Sequence, residues 1–337
     1  MTPRQQCRRC LLPDTVPGLS FDASSLCSIC QSTPEAAVLA GERATLRETI
    51  RAEIEARRGH GTYDAIVAYS GGKDSSYTLK LLVHEHGLRC LALTIDNGFL
   101  SDATYRNCKA VCGALATDHL LFTPSPRFTQ ALYRTSASDE SLHPPAAVKR
   151  ASSICSSCIT MINTHVLQKA LELGVSVVAG GYLGGQVPRS GGLMRVRPAR
   201  QARMRQGVVE QMVGRVGEQA RRYFELPAAG DDREIVIVNP MLGVDLDEDE
   251  IVASLAPLGW VAPLDTGVTS TNCRLNDLGV YLHSRRHGFH PYAMEIAEQL
   301  RHGTLSREKA MVKLQALPAR EQVAWLADRI GLAPDAY

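Results

Sequence analysis

Short apolar runs alternate with amphipathic segments through the middle of the chain. Compact apolar runs bounded by turn residues predict five strands, at 63–69, 90–95, 119–122, 175–179 and 234–238. Apolar residues that recur at three- and four-residue steps predict helices between them, at 75–86, 102–115 and 158–173. Strands that are apolar throughout and alternate with helices are typical of a parallel sheet covered on both faces. We therefore expect a doubly wound α/β fold.

Both ends of the chain differ from this centre. Residues 1–32 are turn-rich and contain four cysteines, whereas helical periodicity dominates 34–58 and the region after Leu275. The segment 1–32 is too short to bury a core of its own and needs a bound metal ion or a covalent cross-link to stay folded. We expect four parts: the cysteine-bearing segment at 1–32, a linker helix at 33–60, the α/β domain at 61–262 and a mostly helical extension at 263–337.

The composition, 45% hydrophobic and 21% charged residues, is that of an ordinary globular protein. No apolar run approaches the roughly 20 residues needed to cross a bilayer, and no apolar segment follows the charged start, so we expect neither membrane association nor a secretion signal. A net charge of +2 is too weak to indicate a nucleic-acid partner. We expect a cytoplasmic protein, with a homodimer as one option for its assembly.

The segment from Ser70 to Ser76 carries the strongest local signal for chemistry. Its sequence, SGGKDSS, directly follows the first predicted strand and opens a helix. Two glycines let the backbone turn sharply and bring its N–H groups against an anion, and the helix start adds unpaired donors and a positive dipole end. Lys73 adds a full positive charge. The segment predicts a polyphosphate site, but its spacing is not that of a Walker loop, which disfavours transfer of a γ-phosphate.

This loop and the strand before it, YDAIVAYSGGKDSS, resemble the PP-loop of the N-type ATP pyrophosphatases, the adenine nucleotide α-hydrolase-like fold. In that family the loop binds the pyrophosphate of ATP, and the substrate attacks the α-phosphorus. The resemblance implies that Mg²⁺ and ATP bind here, that Lys73 and Asp74 act in catalysis, and that Asp96 lies beside the nucleoside. Gly180 and Gly181, which end the fourth predicted strand, would either lie at the same edge of the sheet or form a plain turn. The implied phosphate contacts are Ser70, Gly71, Gly72, Lys73, Asp74, Ser75 and Ser76.

Two CxxC pairs lie near the amino terminus. Ten cysteines are many for a reducing compartment, so such pairs favour metal ligation over disulfides. Four thiolates at this spacing suit tetrahedral Zn²⁺, whose binding would fold a segment too small to fold alone. We predict a structural zinc ribbon held by Cys7, Cys10, Cys27 and Cys30, with a redox role as the alternative. The order of cysteine ribbon, helix and PP-loop also resembles the N-acetyl sugar amidotransferases, which use ammonia from a glutaminase partner.

A third CxxC pair, Cys155 and Cys158, opens a predicted helix, where the helix dipole is expected to lower the pKa of both thiols. The pair resembles that of PP-loop enzymes that thiolate tRNA bases. Those enzymes add a distant third cysteine and ligate a [4Fe–4S] cluster with one open iron. The resemblance implies Cys273, in the polar stretch TSTNCR, as the third ligand. The remaining cysteines are interpreted as small buried hydrophobic residues: Cys90, Cys108 and Cys112.

Two other interpretations of the Cys155–Cys158 pair stay open. It could act as a disulfide or persulfide relay, or form a second zinc site with His143 or His165 as a further ligand. The substrate is open as well, between a tRNA base and a small metabolite. Eight arginines lie between 195 and 222, a pattern that suits phosphate contacts but also a solvated helix face.

Together these patterns predict an ATP-dependent sulfur transferase. A substrate carbonyl oxygen would be adenylated with release of pyrophosphate, and sulfur from a protein donor or inorganic sulfide would then replace it with release of AMP. One alternative is an amidotransferase that uses ammonia and needs no cluster. The other is a regulatory nucleotide-binding module whose CxxC pairs are all zinc sites.

Overall fold

A six-stranded sheet forms the centre of the protein in a computed structural model that describes residues 5–227 and 233–334. Its strands are β1 (Ala65–Ala68), β2 (Cys90–Ile95), β3 (Asp118–Phe122), β4 (Val177–Ala179), β5 (Leu193–Val196) and β6 (Ile235–Val238). They lie in the order β3-β2-β1-β4-β6-β5. The strands from β3 to β6 are parallel, and β5 pairs antiparallel with β6 at one edge. From β1 the chain adds β2 and then β3 on one side of the sheet, and it then returns to add β4 on the other side of β1. The strand order therefore reverses between β1 and β4, and α/β sheets bind ligands at such a topological switch point.

Side chains of the central strands alternate between two apolar cores. Ile66 and Val178 belong to the core on one face, while Val67 and Ala179 belong to the core on the other. This alternation follows from the two-residue period of a strand. The expected α/β fold, with a mostly parallel sheet covered by helices on both faces, is confirmed.

The helices are α1 (Ser28–Gln31), α2 (Ala36–Glu55), α3 (Lys73–Lys80), α4 (Asp102–Ala114), α5 (Pro126–Ser138), α6 (Pro145–Val148), α7 (Ser153–Leu173), α8 (Pro198–Val216), α9 (Ala220–Phe224), α10 (Glu248–Leu255), α11 (Leu275–His287), α12 (Ala293–His302), α13 (Arg307–Gln315) and α14 (Arg320–Ile330). A π-helical turn at Leu81–Glu85 extends α3. Within the described ranges, no helix is both long and apolar enough to cross a membrane.

Several elements differ from the pattern-based prediction, among them α5, which no predicted helix covers, and the three that follow. The edge strand β5 was not predicted, because it has only four residues and alternates poorly, with Met194 and Arg195 both exposed. Helix α7 begins at Ser153, before the predicted 158, because the Ser152 side chain accepts the N–H of Cys155 and caps the helix there. Helix α3 begins at Lys73 rather than at 75, which brings the lysine into the first helical turn.

Candidate functional site

A cavity of about 250 Å³ opens at the carboxyl ends of β1, β2 and β4. The loop after β1, the start of α7, the segment 268–273 and one face of α12 form its walls. These segments are far apart in sequence and meet only because parallel strands end at the same edge of the sheet. The polar and sulfur-bearing wall residues include Ser70, Lys73, Asp74, Ser75, Asn97, Cys155, Cys158, Glu248, Thr271, Cys273, Asn276, Tyr292, Glu295 and Lys313.

The loop after β1 leaves a helix start free to meet an anion. Gly72 is the N-cap residue of α3 and has no side chain to cap the helix, while the Thr271 hydroxyl accepts the Lys73 N–H. The next N–H groups, those of Asp74 and Ser75, have no intrahelical partner, so they can donate to a ligand in the cavity. Hydrogen bonds within the loop hold its shape: the Ser75 hydroxyl accepts the Ser70 N–H at 3.1 Å and lies 3.0 Å from the Ser70 hydroxyl.

Lys73 supplies the cation of this loop. Its Nζ lies 2.7 Å from Oδ1 of Asp74 and 3.8 Å from Oε1 of Glu248. Burial alone would lower the pKa of Lys73, but the two carboxylates outweigh it and raise the pKa. The lysine therefore stays charged although its side chain is buried. The Lys73 backbone N–H donates to the Thr271 hydroxyl at 3.1 Å, which joins the loop to the segment that carries Cys273.

Two glycines are required by close backbone approaches. Gly71 has a φ of +73°, and a Cβ there would lie 2.7 Å from the Cys108 sulfur. A Cβ on Gly181 would lie 2.8 Å from the Ser75 backbone nitrogen. The loop after β4 thus packs backbone against backbone on the helix start, and any larger residue would push it away from the cavity.

Four predicted ATP contacts do not line the cavity: Gly71, Ser76, Asp96 and Gly180. The Ser76 hydroxyl is buried 3.3 Å from the Tyr69 hydroxyl, and the Gly71 carbonyl accepts the Trp260 indole N–H at 3.0 Å. The Asp96 carboxylate accepts the Gly98 N–H at 2.9 Å. These residues shape the loops, whereas Ser70, Gly72, Lys73, Asp74, Ser75 and Gly181 line the cavity itself.

Cys155, Cys158 and Cys273 line the same cavity as the phosphate loop. The Asn97 amide nitrogen lies 3.2 Å from the Cys273 sulfur and 3.8 Å from the Cys158 sulfur. The Asn97 carbonyl oxygen accepts the Phe99 N–H at 2.9 Å, which orients the amide so that its N–H₂ group faces the two sulfurs. Cys155 reaches the amide oxygen of Asn276 at 3.6 Å.

The expected lowering of the thiol pKa values by the dipole of α7 was wrong. Burial raises the pKa of Cys155 to about 12 and that of Cys158 to about 11, and it also raises the pKa of Cys273. Desolvation of a thiolate outweighs the dipole in this cavity, and within the described residues no lysine or arginine is among the groups that act on the three thiols.

The three cavity sulfurs are less tightly grouped than the four amino-terminal ones. The residues that the structure describes contain two groups of three or more potential ligands whose atoms all lie within 4.8 Å of one another, and this trio is not one of them. His143 instead contacts the Ser157 hydroxyl at 2.7 Å, and the His165 ring lies 4.6 Å from that of Phe122, centroid to centroid. Neither histidine lines the cavity that holds the cysteine pair.

The four amino-terminal cysteines converge and are all buried. The Cys7 and Cys30 sulfurs are 3.8 Å apart, and those of Cys10 and Cys27 are 3.6 Å apart. This arrangement can hold one tetrahedral metal ion. The segment also packs on α12 through Ala293, Met294 and Ala297, so it lies behind the helix that faces the cavity.

Sequence reasoning missed Asn97, Thr271 and Glu295. Glu295 projects from α12 into the cavity, and burial raises its pKa to about 7. It accepts hydrogen bonds from Gln186 at 2.8 Å and from Gln299 at 3.2 Å. Asn97 directly follows Asp96 after β2, so the end of that strand was a usable signal; nothing in the sequence of α12 distinguishes Glu295 from a surface glutamate.

The arginine-rich stretch is largely engaged within the chain. Arg195 pairs with Glu53, Arg215 pairs with Asp139, and Arg221 holds Glu210 at 2.7 Å. The Arg205 guanidinium donates to the Thr164 hydroxyl at 2.7 Å. These contacts favour a scaffold role for the stretch and leave the choice of substrate open.

No protein-family model matches the chain. An uncharacterised protein of Methanocaldococcus jannaschii is 24% identical over 273 residues, which is 80% of each chain. Among solved structures, the chain is similar to a U34-tRNA thiolase of Methanococcus maripaludis, solved with its [4Fe–4S] cluster. That match has a TM-score of 0.40 and 14% identity, and it covers 97% of this chain and 87% of the other. Likeness at this level does not assign an activity.

Proposed function

We propose that the protein is an ATP-dependent sulfur transferase that adenylates a carbonyl oxygen of its substrate and replaces it with sulfur. The observation that carries the proposal is that three cysteines and a lysine-bearing phosphate loop at a helix start line one cavity. A nucleotide-binding module alone would not need buried thiols beside the phosphates. Transfer of ammonia would not need them either.

In this proposal the loop residues bind and orient ATP. The free N–H groups at the start of α3 and the hydroxyls of Ser70 and Ser75 receive the phosphates, and Lys73 neutralises charge that develops on the leaving pyrophosphate. Asp74 and Glu248 offer carboxylate oxygens suited to the Mg²⁺ that accompanies ATP. The substrate oxygen attacks the α-phosphorus and pyrophosphate departs. Sulfur then forms the new bond to the substrate carbon, and AMP leaves with the oxygen.

Cys155, Cys158 and Cys273 would hold a [4Fe–4S] cluster in the cavity. A cluster with three protein thiolates supplies one iron that is open to an exogenous sulfur atom. The chain's own contribution is to present the three sulfurs, to orient two of them through the Asn97 amide, and to enclose them among Ile154, Ile159 and Ile162. The sulfur donor is a protein or inorganic sulfide. The four cysteines of the amino-terminal segment would hold a structural Zn²⁺.

Iron content and nucleotide products test this proposal. Protein purified without oxygen should be brown, with about four iron atoms per chain beyond the zinc. The single variants Cys155→Ala, Cys158→Ala and Cys273→Ala should each lose the iron yet bind ATP, because the phosphate loop is separate. Cys112→Ala is the matched control, since its thiol is buried away from the cavity and should not affect iron.

Two results would contradict the proposal in different ways. A colourless anaerobic protein that converts its substrate with ammonia would favour the amidotransferase. Release of ADP and phosphate from labelled ATP, in place of AMP and pyrophosphate, would reject the adenylation step itself.

A further inference from the structure

A second group of metal-ligating side chains lies outside the cavity and has no part in the proposed reaction. Atoms of Glu140, His283 and His287 lie within 4.8 Å of one another. The two histidines are four residues apart on α11, so they share one face of the helix. Glu140 approaches from the turn that follows α5. Nε2 of His287 lies 2.9 Å from Oε2 of Glu140.

The buried side chain of His283 supplies an independent observation that points to a ligand. Its side chain is 1% exposed, and both ring nitrogens are buried without a hydrogen-bond partner. A neutral imidazole has one donor and one acceptor, and leaving both unmet in an apolar environment is costly. The ring lies 4.4 Å from the His287 ring, centroid to centroid, and therefore faces the His287–Glu140 pair. A cation bound by one of its nitrogens would satisfy that nitrogen.

We propose that Glu140, His283 and His287 form a binding site for a borderline divalent cation, with Zn²⁺ as the best match. Two imidazoles and one carboxylate are a donor set that Zn²⁺ favours, whereas Mg²⁺ and Ca²⁺ prefer oxygen alone. Arg286 lies 3.5 Å from the other carboxylate oxygen of Glu140, where it orients that group. Half-exposed Glu140 and His287 give the ion a route from solvent.

The position of the site indicates what the ion does. Helix α11 begins two residues after Cys273 and carries the histidines at its far end. Helix α5 ends just before Glu140 and contacts α7 through the Ser136 and Ser157 hydroxyls, 2.6 Å apart. The ion would fasten α11 to α5, and through them the two elements that carry the cavity cysteines. It is a structural tie, and no reaction step passes through it.

Cobalt(II) is the probe that separates this site from the cysteine sites. The intact protein, with its ribbon metal in place, is titrated with Co²⁺ and followed by absorption. A nitrogen and oxygen site gives weak visible bands, whereas cobalt bound by cysteine adds a strong thiolate charge-transfer band in the near ultraviolet. We expect one equivalent of Co²⁺ to bind and to produce the weak visible bands without the thiolate charge-transfer band. Added Zn²⁺ should displace this Co²⁺.

Substitutions at the site test whether this Co²⁺ is bound by Glu140, His283 and His287. Glu140→Gln keeps the size of the side chain and should weaken cobalt binding by at least about tenfold, as should His287→Gln. Added Zn²⁺ should raise the melting temperature of the parent protein but not of Glu140→Gln. His302→Gln is the matched control, because His302 also pairs with a glutamate, at 3.3 Å, but has no second histidine beside it.

Cobalt uptake that shows only the thiolate band would overturn the proposal. So would equal affinity in the parent and in a folded Glu140→Gln variant. Circular dichroism of each variant shows whether it is folded, and because Glu140 is half-exposed its amide variant tests the site even if a change at buried His283 prevents folding.

Discussion

Lys73 carries the positive charge closest to the expected position of the ATP phosphates. Its side chain is held by Asp74 and Glu248 rather than free to move. A preorganised cation stabilises charge that develops in the transition state, so Lys73→Ala should lower turnover by about 10²–10³-fold. Pyrophosphate release from labelled ATP measures this.

Lys80→Ala is the control for that change. Lys80 lies on the same helix, but its Nζ donates to the Ser254 carbonyl at 3.0 Å, outside the cavity. Its turnover should match that of the parent. If Lys73→Ala retains near-normal turnover, the lysine does not act on the phosphates.

Glu295 gives the cavity a pH-dependent charge. Burial raises its pKa from 4.5 to about 7, so the folded protein binds this proton more tightly than the unfolded chain does. Its contribution to stability is present below pH 4.5 and is lost as the pH rises through 7. Glu295→Gln removes this loss and keeps the hydrogen-bond acceptor for Gln186. Between pH 5 and pH 8 the variant should gain on the order of 2–3 kcal/mol of unfolding free energy relative to the parent, measured by urea unfolding.

Glu298→Gln provides the contrast from the same helix. Although burial opposes it, hydrogen bonds from His302 and Arg301 hold the pKa of Glu298 below its usual range. Removing that charge should destabilise the protein at both pH values. Identical pH profiles for Glu295→Gln and the parent would mean that Glu295 titrates normally.

At the scale of elements, α12 connects the amino-terminal segment to the cavity. One face of the helix packs on the four-cysteine segment through Ala293 and Met294, and the other presents Glu295 and Ile296 to the cavity. Cys27→Ser should lose the zinc that we propose this segment binds and destabilise the protein by more than about 3 kcal/mol, since loss of a structural metal is among the largest single-residue effects. Because α12 would then lose its packing contacts with the amino-terminal segment, the affinity for ATP should fall as well.

Zinc content, urea unfolding and ATP titration measure the three effects. Cys112→Ala again serves as the control, because it removes a buried thiol that holds no proposed metal. Full zinc occupancy in Cys27→Ser would contradict the assignment of Cys27 as a zinc ligand. Unchanged ATP affinity after zinc loss would show that the amino-terminal segment does not support the cavity through α12.

At the scale of the whole molecule, the cavity ties together parts of the chain that are distant in sequence. Thr271 accepts the Lys73 N–H, and Asn272 accepts the Ser101 N–H at 3.0 Å, so the segment before α11 is fastened to two loops of the sheet. A ligand that contacts all three should stabilise the protein as one unit. Mg·ATP at 100 times its dissociation constant should add about 2.7 kcal/mol and raise one thermal transition by a few degrees.

Calorimetry with and without Mg·ATP checks this expectation. ATP without Mg²⁺, or Mg²⁺ alone, should shift the transition less. A shift confined to one of two separate transitions would show that the cavity walls unfold independently.

The sequence by itself determined the local features. Strand periods predicted all five expected strands to within two residues at each end, because burial on a sheet imposes its own repeat on the residues. The SGGKDSS turn and the paired CxxC motifs were equally visible, since each places its functional groups within a few residues of one another. The edge strand β5 escaped because it is short and half-exposed, so burial imposes little pattern on it.

Only the tertiary structure decided what surrounds the chemistry. Asn97 faces two sulfurs that lie 61 and 176 residues further along the chain, and no local pattern encodes such a contact. The pKa values of the thiols and of Glu295 depend on desolvation, which is set by packing from several elements at once, so the helix dipole inferred from sequence gave the wrong direction. His283 likewise shows its unmet nitrogens only after the chain has folded around it.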